Sequence, residues 1–171
     1  MNFIRKNLFL QLFFLFFLTA SPLHPQSREA SFRRYTADNG LESSHITCLL
    51  QDHRGFLWAG TGNGLYRFDG YRFKAFKRDP ADPASISDNS IKALYEDRLH
   101  KLWIGTTNGL NAFDPHTEKF SYYRNTQEDA DSTGRNFIAS LSGDERGAIW
   151  VGTHGGGVYQ FNRTTQKIHA G

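Results

Sequence analysis

One pattern constrains the fold of this chain more than any other: Trp-x-Gly-Thr occurs three times at a nearly fixed step. Trp58 and Trp103 are 45 residues apart, and Trp103 and Trp150 are 47 apart. A period of about 40–50 residues built from short apolar runs is the signature of a propeller or a solenoid array. Each copy carries more than the Trp. An apolar pair stands twelve and nine positions upstream (Ile46 and Leu49, Ile91 and Leu94, Ile138 and Leu141), with a small residue between (Cys48, Ala93, Ser140). This reads as a buried inner strand. An Asp follows six positions before the Trp (Asp52, Asp97, Asp144), then Gly55, His100 or Gly147 three residues on. Asp caps turns with its own carboxylate and Gly supplies a positive φ, so the pair closes a hairpin and the Asp is structural.

The second strand is Trp-x-Gly-Thr itself, whose bare Gly lets a neighbouring strand approach closely. Asn-Gly turns come next (Asn63-Gly64, Asn108-Gly109), and the third copy has one extra residue, His154-Gly155-Gly156-Gly157. Asn-Gly between apolar runs is a strong hairpin signal. A third strand and an edge strand complete the unit, the latter marked by Phe73 and Phe76, then Phe120 and Tyr123. Four antiparallel strands per repeat make one propeller blade. The predicted fold is therefore all-β, about three four-stranded propeller repeats: blades at residues 43–78, 88–125 and 135–171. Residues 31–36, with Phe32 and Tyr35 at the edge-strand spacing, are expected to form the outer strand of a further blade. A ring takes about 4–8 blades. Three give an incomplete ring with uncovered sheet faces, expected to be lined by Trp58, Phe68, Trp150 and Phe161, so the chain reads as part of a larger propeller.

At this point the motif Asp-x-x-Gly-x-x-Trp-x-Gly-Thr-x-x-Gly-Leu-x-x-Phe-Asp, as in residues 52–69, resembles the two-component regulator propeller repeat. The resemblance runs from about residue 31 to the C-terminus, departing at His100 and at the extra Gly of the third copy. It implies the extracytoplasmic sensor of a hybrid two-component system. The expected ligand is an oligosaccharide, the expected partners are further blades and a membrane-bound histidine kinase, and ligand would act by biasing packing between sensor halves.

The N-terminus agrees with export. Arg5 and Lys6 precede the apolar run from Leu8 to Leu18, and Thr19-Ala20-Ser21 supplies small residues. That order reads as a secretory signal peptide over residues 1–20, too short to span a bilayer, with a polar linker at 21–30. Without Arg5 and Lys6, the 20 basic residues fall to 18 against 17 acidic ones. The remainder is nearly neutral and shows no basic patch with interleaved aromatics, which argues against nucleic acid. The single Cys48 allows no internal disulfide and reads as a small buried residue.

Candidate chemistry is sparse. There is no nucleophile elbow, phosphate loop, His-Glu-x-x-His or Cys-x-x-Cys, and His24, His45, His53, His100, His116, His154 and His169 share no metal-like spacing. No cofactor, metal or catalytic residue is assigned. The polar connections at 79–90 and 125–136 read as solvated linkers with turn caps, lacking the ordered oxygens of a calcium loop. A residue that obeys the repeat is structural; a binding residue should break it. Positions that vary between copies and lead into the inner strands are the ligand-binding candidates: Ser43, Ser44, His45, Asp88, Asn89, Ser90, Arg135 and Asn136. The rival readings are an exported propeller lyase or glycosidase, which needs clustered carboxylates or a His at the axial mouth, and a protein-interaction scaffold.

Overall fold

The structure, a computed structural model, describes residues 31–124 and 136–162 and the backbone of 167–170. The expected leader and linker, Arg135 and most of the second polar connection lie outside the described residues. The chain divides into two units, Met1–Arg33 and Arg34–Gly171. All the described strands belong to the second. They are β1 (Ile46–Gln51), β2 (Leu57–Thr61), β3 (Gly64–Phe68), β4 (Phe73–Phe76), β5 (Ile91–Glu96), β6 (Leu102–Thr106), β7 (Gly109–Asp114), β8 (Lys119–Tyr123), β9 (Ile138–Gly143), β10 (Ile149–Thr153), β11 (Gly157–Asn162) and β12 (Lys167–Ala170). They form three four-stranded antiparallel sheets, ordered β1-β2-β3-β4, β5-β6-β7-β8 and β9-β10-β11-β12. The fold is all-β, three propeller blades. Among the described residues no helix is long and apolar enough to cross a membrane.

The spacing of the inner strand explains how the blades stack. Side chains alternate faces along a strand, so Ile46 and Leu49, three apart, share a face only if one extra residue intervenes. The structure has that bulge. Ile46 pairs with Thr61 and Cys48 with Gly60, leaving Thr47 between, and Ile91/Ala93 repeats it. Thr47 then reaches across, its hydroxyl donating to the Ile91 carbonyl at 2.8 Å.

Consecutive blades pack face to face. Between blades 1 and 2, Trp58, Leu65 and Phe76 meet Ile91, Leu102, Ile104, Phe113 and Phe120. Between blades 2 and 3, Trp103 and Leu110 meet Ile138, Ile149, Val151, Tyr159 and Phe161. The Gly of Trp-x-Gly-Thr is the seat of this contact. A Cβ on Gly60 would lie 2.7 Å from Ile91 Cγ2, and one on Gly105 2.6 Å from Ile138 Cγ2. No side chain fits there, so the sequence keeps both positions bare.

Four expectations change. Residues 31–36 form no strand. Instead the Tyr35 ring packs edge-on against Phe68 (4.8 Å between centroids) and Phe73 (6.0 Å). A short 3-10 turn, Ala37–Asn39, follows and ends at Gly40 with φ 86°. The segment from Arg34 thus covers a sheet face rather than pairing with a sheet edge. The inner strand of blade 1 is not buried: Leu49 is 62% exposed, because that face of β1 has no blade against it. The uncovered apolar residues are accordingly Ile46 and Leu49 on blade 1 and Trp150 and Val158 on blade 3; Trp58 and Phe161 lie inside the interfaces and Phe68 under Tyr35. Finally, the connection at 79–90 is more than solvated linker. Asp79, Asp82 and Asp88 do cap turns with their carboxylates, but Ile86 is fully buried between blades 1 and 2.

Candidate functional site

Antiparallel order gives the row of blades two rims. The leading rim carries the loops into the inner strands and the β2–β3 type turns; the far rim carries the turns closed by Asp52, Asp97 and Asp144.

On the leading rim the Thr of Trp-x-Gly-Thr builds the turn. The Thr61 hydroxyl donates to the Gly64 carbonyl (2.8 Å) and accepts from the Asn63 amide (2.9 Å), and Thr106 does the same with Gly109 and Asn108. The loops into β5 and β9 close against that turn through their backbone. The Ser90 carbonyl accepts from Thr107 N–H and the Phe137 carbonyl from His154 N–H. A position that contributes its carbonyl is indifferent to its side chain, which is a structural reason for the Ser90/Phe137 variation.

The seven candidates among the described residues sit here, and several have local partners. Asn89 accepts at Oδ1 from Arg78 N–H (2.7 Å), and its carbonyl accepts from Gly64 N–H (2.7 Å). Asp88 Oδ1 accepts from Ser90 N–H, and the Ser43 hydroxyl donates to the His45 carbonyl. Ser43 and Ser44 line a cleft of ≈ 280 Å³ together with Arg34, Tyr35, Leu41 and Glu42. Asn136 is half-buried ahead of Phe137. A second cleft of ≈ 280 Å³ lies between the loop at 78–87 and the residues Asn108, Tyr122 and Arg124. None of the seven described candidates lines it. Its signal in the sequence is the run Tyr122-Tyr123-Arg124 at the end of the blade 2 edge strand, where blade 1 has Ala75-Phe76-Lys77. Burial raises the Tyr122 phenol above its usual range, Arg124 and Arg78 pulling the other way, so the hydroxyl is a proton donor at neutral pH. Burial likewise raises the Cys48 thiol, which makes it an unreactive packing residue.

The far rim explains the Asp. Asp97 Oδ1 accepts from the amides of Leu99 (2.8 Å) and Lys101 (3.0 Å), and Oδ2 accepts from the Trp103 indole N–H (2.7 Å). Asp52 treats Arg54, Phe56 and Trp58 alike, and Asp144 treats Arg146, Ala148 and Trp150 alike with a longer indole bond of 3.4 Å. These carboxylates are occupied by turn and Trp, which removes them as general acids or bases. The link to the Trp was not drawn from the sequence, although the constant six-residue offset carries it.

The far rim also holds a cluster the sequence spacing did not reveal. His53 Nδ1 lies 2.5 Å from Glu96 Oε1, and His100 Nδ1 lies 3.8 Å from the same atom. The two imidazoles stack at 3.9 Å between centroids. The Glu96 carboxylate also accepts from the His53 backbone N–H at 3.0 Å. Blades 1 and 2 bring together residues 43 to 47 apart in sequence, so local spacing gives no sign of it.

A row of four-stranded blades, each seated on the next through Trp-x-Gly-Thr and presenting clefted loops at one rim, is β-propeller material. Residues 40–63 and 85–108, the first two strands of blades 1 and 2, match the model of the two component regulator propeller. A 73-residue stretch is 40% identical to histidine kinase P4 of Formosa agariphila, covering 43% of this chain and 5% of that one. The extracellular domain of a protein described as a hybrid two component system from B. thetaiotaomicron aligns with a TM-score of 0.72 and 30% identity, over 81% of this chain and 20% of that one. A second extracellular domain with the same description and organism aligns at 0.62 and 27%, over 76% of this chain and 18% of that one. The chain thus spans about a fifth of these extracellular domains and a small fraction of the kinase.

Proposed function

We propose that these blades belong to an exported, periplasmic ligand-sensing head of a two-component signal transduction system, and that the ligand is a glycan fragment read at the leading rim. The observation that carries the reading is the 30% identity and 0.72 TM-score with an extracellular domain of that class over most of this chain. In this reading the chain itself catalyses nothing; a membrane-bound kinase and further blades complete the sensor, and ligand acts by biasing the packing of blades against their neighbours.

The chemistry of the second cleft supports a sugar ligand. It combines an exposed aromatic face, Tyr122, with Asn108, Arg78, Arg124, Asp79 and Asp82. Aromatic faces take the apolar side of a pyranose, and fixed amide, guanidinium and carboxylate groups take its hydroxyls. Ser43 and Ser44 in the first cleft, and Asp88, Asn89, Ser90 and Asn136 along the same rim, extend the proposed surface, and Arg135, outside the described residues, is proposed with them from the sequence alone. The test is a screen of immobilised oligosaccharides with the exported chain, repeated with Tyr122→Ala and Asn108→Ala. Saturable binding that both variants weaken by tenfold or more supports the reading. Binding that both variants leave unchanged, or turnover of the sugar, overturns it in favour of a scaffold or an enzyme.

A further inference from the structure

We propose that His53, Glu96 and His100 form a binding site for one divalent transition-metal ion, zinc or a cation of similar preference, which clamps blade 1 to blade 2 at the far rim. The donor set is two imidazoles and a carboxylate, and their ligand atoms all lie within 4.8 Å of one another. Three such protein ligands with a water in the fourth position make an open tetrahedral zinc site. Donors about 2.0–2.2 Å from a tetrahedral ion lie about 3.3–3.6 Å apart. The His100–Glu96 separation of 3.8 Å is close to that; the His53–Glu96 separation of 2.5 Å has to open by about 1 Å, and the stacked imidazoles, 3.9 Å between centroids, have to turn out of their stack for both Nδ1 atoms to face one ion.

Independent features point the same way. All three residues break the repeat: the other blades have Arg98 and Glu145 where His53 stands, Gln51 and Gly143 where Glu96 stands, and Gly55 and Gly147 where His100 stands. His100 holds φ 62° at a position where Gly55 and Gly147 take 86° and 80°. An L side chain rarely adopts that conformation, so the turn tolerates a histidine where glycine is the easier choice. The His53 backbone N–H holds the Glu96 carboxylate in place, the kind of outer support that orients a metal ligand. Of the cations nearby in sequence, Arg98 donates to the Glu145 carbonyl at 2.7 Å and Arg54 lies 3.9 Å from Asp52 Oδ2. A void of ≈ 10 Å³ bordered by the three residues and by Arg54, Trp58, Phe113 and Pro115, among others, has room for about one water-sized particle.

The experiment uses the whole chain stripped of metal with chelator. Thermal unfolding is followed with zinc, cobalt(II) or magnesium added, and stoichiometry by calorimetry. One equivalent of zinc is expected, raising the midpoint by about 5–10 °C at a hundredfold excess over Kd, with visible cobalt(II) bands of tetrahedral form and no response to magnesium. His100→Gly restores the repeat residue, so it should fold at least as well as the parent without metal, and it should lose the zinc shift. Glu96→Gln should weaken zinc binding tenfold or more. A zinc shift of equal size in the parent and in His100→Gly, or no shift in the parent, overturns the proposal.

Discussion

Replacing Asp97 by Asn isolates the bond between the turn and the buried Trp. The amide keeps an oxygen for the Leu99 and Lys101 amides, but it turns an N–H₂ group toward the Trp103 indole N–H, so a 2.7 Å charge-assisted bond becomes two facing donors. Both partners are buried, Trp103 between blades 2 and 3. A hydrogen bond to a charged group is worth about 1.5–3 kcal/mol and no water can replace this one, so the expected loss is about 2 kcal/mol. At about 2–4 °C per kcal/mol the melting midpoint should fall by about 6 °C. Asp144→Asn makes the same chemical change where Trp150 is 36% exposed and the indole bond is 3.4 Å. Water can satisfy that indole, and the loss should be near 0.5 kcal/mol. Circular dichroism on heating and in urea, at unchanged m, measures both. The Trp103→Phe background supplies the cycle: with the indole N–H gone, Asp97→Asn should cost little. Equal losses at Asp97 and Asp144, or an undiminished loss in Trp103→Phe, would refute the account of the Asp–Trp brace.

Gly105→Ala places a methyl 2.6 Å from Ile138 Cγ2 and should destabilise by about 1–3 kcal/mol, with Ile138→Ala relieving part of the loss; Gly62→Ala, whose added methyl meets nothing within 4 Å, should be close to neutral in the same unfolding assay. Glu118 bonds Lys74 and Arg67, which hold its carboxyl below the ordinary value of 4.5 against the opposing effect of burial. A depressed folded value stabilises in full above the unfolded value and is lost as pH falls through the folded one. Glu118→Gln should therefore lower stability at pH 7, and its curve should converge with that of the parent as pH drops below 4.5.

The repeat made the blades legible because each of its residues has one structural duty. Trp-x-Gly-Thr names the strand, the seat for the next blade and the turn, and the three-residue step from Ile46 to Leu49 encodes the bulge. What escaped depends on context that periodicity does not record. Phe32 and Tyr35 match an edge strand in spacing, yet Tyr35 finds Phe68 and Phe73 on an open sheet face and packs there instead. Ile86 looks like one apolar residue in a polar linker and is in fact a plug between blades. At the leading rim, backbone pairing alone lets position 90 vary, so variation between copies does not by itself mark a binding residue. Applied to the turns, the rule that binding residues break the repeat picks out His53 and His100, which stand on adjacent blades and meet only in three dimensions.

The claim that most needs a direct measurement is that the leading rim binds a ligand without transforming it. Backbone amide resonances of the isotope-labelled chain, titrated with an oligosaccharide that the screen selects, answer it in one experiment. The account predicts shifts at Asn108, Tyr122, Arg124 and the loop at 78–90, unchanged far-rim turns at residues 97–101, and a sugar recovered intact. Shifts concentrated at the far rim, or new reducing ends appearing in the sample, would contradict it.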